Sequence, residues 1–233
     1  MSLKNIKYNI ASKIDNTLLK IDVTLAVVRE FIRKSLEYGM RGVVLPEFFI
    51  RYARDLIPKG SMKLVSVVAF PFGHVNPYVK ISEATNAIDA GADELDIVSN
   101  TSLIKSGLID KYANEIEIIT KYFKREYPGI PIKIIAEIPI LSIVEISIVA
   151  EIFNKFKPDY IKTSTGYAYR GTSIGDVLYL RTLLDEEIRI KASGGIRSFE
   201  KAVNLLMAGA SIVGTSTGFK IVDEAKRYEQ EIY

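Results

Sequence analysis

Two lysines stand where a folded chain seldom leaves a charge. Lys162 follows two β-prone residues in DYIKTSTGYAYRG, residues 159–171, and Lys191 stands in RIKASGG; both interrupt runs that read as buried strands. An amine taken out of water beside a second amine gives up its proton more readily, and the free amine is the form that attacks a carbonyl carbon. One buried lysine is equally well explained by an ion pair in the core. Two together are not, because packing gains nothing from like charges on neighbouring strands.

Asp96, in ELDIV, suits the acid/base counterpart of these amines, able to hold them by hydrogen bonds or to move their protons. A plain salt bridge is its alternative role. Asp15 in KIDNT and Glu137 in IIAEI share the pattern, and for them a non-catalytic ion pair is the simpler reading. Asp15, Asp96 and Glu137 could together offer oxygen ligands to a metal. Two lysines in the same cavity make a cation unwelcome, so neither metal nor cofactor is expected.

A second feature points to an anion. KASGGIRSFEKA puts Gly194 and Gly195 after one strand and before a helix, and IVGTSTGFK puts Gly214 and Ser216 after the next. Loops after strands 7 and 8 of an α/β barrel, with backbone N–H groups at a helix N-terminus, form a common phosphate site. Arg197 is placed to assist. No GxxxxGK[ST] or GxGxxG run occurs, so a nucleotide is not indicated. His74, the single histidine, falls in the turn-rich FPFGHVNP and reads as a solvated loop residue. Tyr233 ends an amphipathic tail that most simply covers the outside of the fold.

These residues need elements to hold them. Val/Ile-rich runs near 13–17, 42–45, 64–70, 94–98, 132–138, 159–164, 188–193 and 211–215 alternate with amphipathic stretches near 24–38, 47–57, 77–90, 110–126, 142–155, 173–184, 198–208 and 218–231. Thr24 and Ser198 read as N-caps, and GAD at 91–93 and AGAS at 208–211 supply glycines where a helix must stop. Eight βα units without a Pro/Ser-rich linker predict one α/β domain over residues 1–233, a (β/α)8 TIM barrel. Asp15, Asp96, Glu137, Lys162 and Lys191 then belong to strands 1, 4, 5, 6 and 7.

Composition limits the partners. The chain of 233 residues is 48% hydrophobic and 25% charged, which fits a globular protein with a sizeable core. A net charge of +3 is too weak to indicate nucleic acid or an anionic membrane. There is no cysteine, which excludes disulfides and a thiol nucleophile. The most membrane-like stretch, from Ile134, is broken by Glu137, Pro139, Glu145 and Glu151, and the N-terminus does not read as a signal peptide, so the cytoplasm is expected.

The sequence resembles the deoxyribose-phosphate aldolases, a class I family, through IDNTLLK at 14–20, VVAFPFG at 67–73, GADELDIVSN at 91–100, DYIKTSTGY at 159–167, KASGGIRSFEKA at 191–202 and GTSTG at 214–218. The blocks occur in the family's order and span almost the whole chain. The resemblance implies a (β/α)8 barrel with Lys162 as the Schiff-base lysine, Asp96 as the acid/base aspartate and Lys191 as the lysine that perturbs the first. Gly194, Gly195, Arg197, Gly214 and Ser216 match phosphate-binding turns, and Gly166 belongs to the TSTG turn beside the sugar phosphate. The implied reaction is reversible cleavage of 2-deoxy-D-ribose 5-phosphate to D-glyceraldehyde 3-phosphate and acetaldehyde, without a metal, by a homo-oligomer. Two departures stand out: Asn16 where many relatives have histidine, and EIPIL at 137–141, with Pro139, in place of ETGLL. The residues alone leave open another phosphosugar aldolase or transaldolase using the same imine, and a phosphosugar isomerase or epimerase in which the lysines only pair with carboxylates.

Overall fold

In a computed structural model, which describes residues 10–230, each Val/Ile-rich run becomes a strand and the eight close into a parallel barrel in chain order. The strands are β1 (Ile14–Thr17), β2 (Gly42–Pro46), β3 (Lys63–Val68), β4 (Glu94–Val98), β5 (Ile132–Ile135), β6 (Tyr160–Lys162), β7 (Arg189–Ser193) and β8 (Ile212–Thr215), with β8 pairing to β1. Around them lie α1 (Leu25–Glu37), α2 (Ile50–Leu56), α3 (Pro77–Asp89), α4 (Thr101–Lys105), α5 (Ile109–Glu126), α6 (Ile143–Phe156), α7 (Ile174–Leu183), α8 (Phe199–Met207) and α9 (Gly218–Gln230). The fold is the expected (β/α)8 barrel in a single domain.

Local chemistry sets the joints. Thr24 and Ser198 cap α1 and α8 by accepting from the N–H groups of Val27 and Lys201. Ser142 with Glu145 and Ser173 with Asp176 form reciprocal capping boxes that start α6 and α7. Gly91, at φ +108, and Gly209, at φ +113, end α3 and α8 in conformations that side chains disfavour. The large apolar core lies between strands and helices, where Ile97, Ile134, Phe123 and Phe153 are fully or almost fully buried. A smaller one, Val44, Val65 and Val67, lies inside the barrel with Leu19 and Phe70 packed on it.

The structure departs from the sequence reading at the C-terminal end of several strands. β3 stops at Val68, because Ala69 turns to φ +53 and gives its N–H to the Glu83 carboxylate at 2.9 Å. β5 stops at Ile135, not 138: Glu137 is left-handed at φ 49, ψ 49, and a 3₁₀ turn follows over Ile138–Ile140. β6 ends at Lys162 itself. α2 is preceded by a 3₁₀ turn at Glu47–Phe49, and α4 is a ninth helix, inserted between β4 and α5. Tyr233 lies outside the described residues.

Candidate active site

Register brings the charged residues together. Strand side chains alternate, and the parallel ladder aligns Lys162 with Lys191, Asp96 with Lys133, and Asp15 with both Gly42 and Gly214. All point into the barrel. The two glycines are needed there: a Cβ on Gly214 would lie 3.2 Å from Lys191 Cε, and one on Gly42 would lie 3.0 Å from an Asp15 oxygen. Gly214, expected to contribute a phosphate-binding turn, therefore also makes room for the Lys191 stem.

Asp96 is the hub. One carboxylate oxygen, Oδ2, accepts from both Lys162 Nζ and Lys191 Nζ at 2.8 Å, while the other, Oδ1, lies 3.2 Å from Lys133 Nζ. Burial alone would push the Asp96 carboxyl up, but Lys162, Lys191 and Lys133 outweigh it and hold the group well below the usual carboxylate range. Burial is also the main reason the Lys162 amine lies below the ordinary lysine value; Asp96 opposes it, and repulsion from Lys191 and then Lys133 adds to it. The lowering expected from two facing lysines thus owes more to desolvation than to the neighbouring amine.

Asp15 forms two ion pairs: Oδ2 accepts from Lys191 at 2.6 Å and Oδ1 from Arg41 at 2.6 Å. Among the described residues Glu137 has no ion-pair partner. Its carboxylate accepts from the hydroxyl of Ser164 at 2.5 Å and from the N–H and hydroxyl of Thr165, so it holds the turn that follows Lys162. Asp15, Asp96 and Glu137 therefore do not converge as a ligand set.

A cavity of about 430 Å³ opens above Lys162. Gly166, Gly194, Gly195, Arg197, Gly214 and Ser216 all line it, so the expected phosphate residues gather on the side of β7 and β8. Gly194 and Gly195 have φ +94 and +67, and the Gly166 and Gly194 turns touch. Arg197 and Ser216 are exposed to the cavity, and α9 begins two residues after Ser216, its N-terminus directed at the same rim. Tyr167 also lines the cavity, edge-on to Phe70 at 5.6 Å. Arg170 is committed elsewhere, to a bidentate pair with Asp176 at 2.6 and 3.0 Å that closes the loop. His74 is exposed, stacked on Phe72 and 3.0 Å from Ser102 Oγ.

The two departures act at a distance from the amine. Asn16 faces outward, gives a hydrogen bond to Ser35 on α1 at 3.2 Å, and abuts Gly218, where a Cβ would lie 2.7 Å from its carboxamide oxygen. Pro139 is buried in the 3₁₀ turn that follows Glu137.

Comparison with known proteins decides the family. Over 94% of its length the chain is 37% identical to the deoxyribose-phosphate aldolase of Caldanaerobacter subterraneus subsp. tengcongensis, 94% of which is matched. The chain belongs to the deoxyribose-phosphate aldolases. Among solved structures, the aldolase QR15 superposes with a TM-score of 0.88 at 36% identity, covering 97% of this chain and 99% of that one. A tetrameric deoxyribose-phosphate aldolase from Aeropyrum pernix gives 0.85 at 33% identity, covering 98% and 100%. A model of the dihydroorotate dehydrogenase family matches residues 134–232. That segment runs from β5 to α9 of the aldolase barrel and carries both glycine turns, but it is less than half the chain.

Four residues of the site went unread in the sequence: Lys133, Glu94, Arg41 and Ser164. Lys133 had a readable signal, since PIKIIAEI interrupts an apolar run just as YIKTS does. Arg41 and Glu94 had none, because one immediately precedes β2 and the other is the first residue of β4, where charge is ordinary.

Proposed function

We propose that this aldolase reversibly cleaves 2-deoxy-D-ribose 5-phosphate to D-glyceraldehyde 3-phosphate and acetaldehyde through an imine on Lys162. The observation that carries the reading is Lys162 itself: a buried amine, depressed by desolvation, 2.8 Å from Asp96 and open to the cavity. The free amine adds to the aldehyde carbon, and loss of water with uptake of one proton, returned on the final hydrolysis, gives a protonated imine. The bond between C2 and C3 then breaks, its electrons enter the imine to form an enamine, and the C3 hydroxyl gives up its proton. Protonation of the enamine carbon and hydrolysis release acetaldehyde and restore Lys162.

Asp96 is fully buried beneath Lys162 and held strongly anionic, which supports a role as counter-ion of the protonated imine. In this reading it exchanges protons with the substrate through a water beside Lys162, and Lys191 shares that proton. The glycine turns with Arg197 and Ser216 hold the phosphate, and that remote binding orients the reacting carbons.

A homo-oligomer belongs to the same proposal, supported by the tetrameric relative and by exposed Phe48, Phe72 and Tyr78. A sugar phosphate is an anion that bilayers exclude, so the enzyme belongs in the compartment that makes its substrate, taken here as the cytoplasm. Among the described residues no helix is long and apolar enough to cross a membrane. The deciding experiment is reduction with borohydride in the presence of substrate, followed by peptide mass spectrometry. A reduced adduct on Lys162 is expected; labelling elsewhere, or none, removes the imine.

A further inference from the structure

The charged interior is a closed circuit. Asp96 Oδ1 lies 3.2 Å from Lys133 Nζ, which lies 2.6 Å from Glu94 Oε2; Glu94 Oε1 lies 2.5 Å from Arg41 Nη2. Arg41 Nη1 continues to Asp15 Oδ1 at 2.6 Å, Asp15 Oδ2 to Lys191 at 2.6 Å, and Lys191 back to Asp96 Oδ2 at 2.8 Å. Three carboxylates alternate with three cations. Five of the six are fully buried or nearly so, and only Arg41 reaches toward the far mouth of the barrel. Lys162 hangs from Asp96 outside this ring.

We infer that Lys133 is a positioning residue of the aldol reaction: by completing a six-membered ring whose charges cancel, it leaves Lys162 without a carboxylate of its own and so keeps that amine neutral. Buried charge is favoured only where it is balanced, so with three cations already on three carboxylates the resting amine sheds its proton, and the protonated imine has the Asp96 Oδ2 that Lys191 shares as its counter-ion. Lys133 acts on Asp96 as a charge: its Nζ lies 3.2 Å from Oδ1 with no hydrogen bond between them, while Oδ2 accepts from Lys162 and Lys191. The remaining ionisable groups near Lys162 do not alter the count. Lys20, Tyr167 and Arg197 line the cavity on its solvent side, and Glu137 is turned onto Ser164 and Thr165. Below the ring, Tyr160 is stacked against the Arg189 guanidinium at 4.0 Å.

The inference rests on Lys162 being the imine lysine, and its test separates the two ideas. The rate of adduct formation at Lys162 with acetaldehyde and cyanoborohydride is followed against pH in wild type, K133M, E94Q and the double variant. No adduct in wild type would sink the imine reading itself. Given the adduct, K133M leaves the ring negative, so the acidic limb should move up by about one pH unit; E94Q leaves it positive, and the limb should move down by a similar amount. The double variant is neutral again and should return toward wild type. Shifts in the same direction, or a double variant as displaced as K133M, would overturn the role. Should K133M not fold, E94Q and the double variant still decide it, since an unmoved limb in E94Q contradicts charge balance.

Discussion

The interior of this barrel has two unlike sides. Between β2 and β3 it is filled by Val44, Val65 and Val67, with Leu19 and Phe70 above them. Across from them, β1 and β4 to β7 contribute Asp15, Glu94, Asp96, Lys133, Lys162 and Lys191, nearly all inaccessible to water. The valine side stabilises through burial, at roughly 25 cal/mol per Å² of apolar surface, and makes no demand on direction. The charged side gains little net stability, because desolvation offsets most of the attraction. What it provides is a fixed geometry in which one amine is left unbalanced, so stability and reactivity are assigned to different strands.

Substitutions on the two sides should therefore fail differently. The largest effect is expected for Lys162→Met, which should lower the retro-aldol rate by roughly 10³-fold or more, with no reduced adduct; residual activity near wild type would transfer the role to another amine. Next comes Asp96→Asn. It removes the shared partner of three lysines and should cost about 3 kcal/mol in urea unfolding as well as most of the activity. Val44→Ala on the opposite side should cost about 2 kcal/mol of stability while leaving the pH profile of adduct formation in place; a moved profile would show that the two sides are coupled. The smallest effect is expected at the rim, where Arg197→Ala should raise KM for the phosphorylated substrate by about tenfold and leave cleavage of unphosphorylated 2-deoxyribose unchanged.

The sides should also part with pH. Asp15, Glu94 and Asp96 feel burial raising them, yet each is held below its ordinary value by the surrounding cations. A carboxyl depressed in the folded state contributes stability that is fully present above its unfolded value, about 4, and is lost as pH falls through the lower folded value. Urea midpoints should stay level from neutrality to about pH 5 and fall below about pH 4. The valine side does not titrate, so the fall should be shallower in Asp96→Asn.

Much of the site could be read in advance because its signals are local. A lysine inside YIKTS or RIKAS is anomalous whatever the fold, and paired glycine turns before helices are a local pattern that the closed barrel gathers around one cavity. Glu137 was misplaced for a physical reason: IIAEI continues a β pattern through residue 138, but the carboxylate has more to gain by turning left-handed and accepting from Ser164 and Thr165. The same holds for β3, where Glu83 captures the Ala69 N–H and ends the strand early. Each is a hydrogen bond across elements, and such bonds leave no period in the chain.

By itself the amino-acid order determined eight βα units, hence the barrel, and the presence of Lys162, Lys191 and Asp96 among strands buried on both faces. Which of these touch was decided only by closure. Asp15 and Lys191 are 176 positions apart and meet at 2.6 Å because β8 returns to β1. Alternation along a strand says that a charge is buried, but partnership depends on the register of neighbouring strands and on the space left by Gly42 and Gly214. The balanced ring, and the surplus amine above it, are therefore properties of the closed barrel.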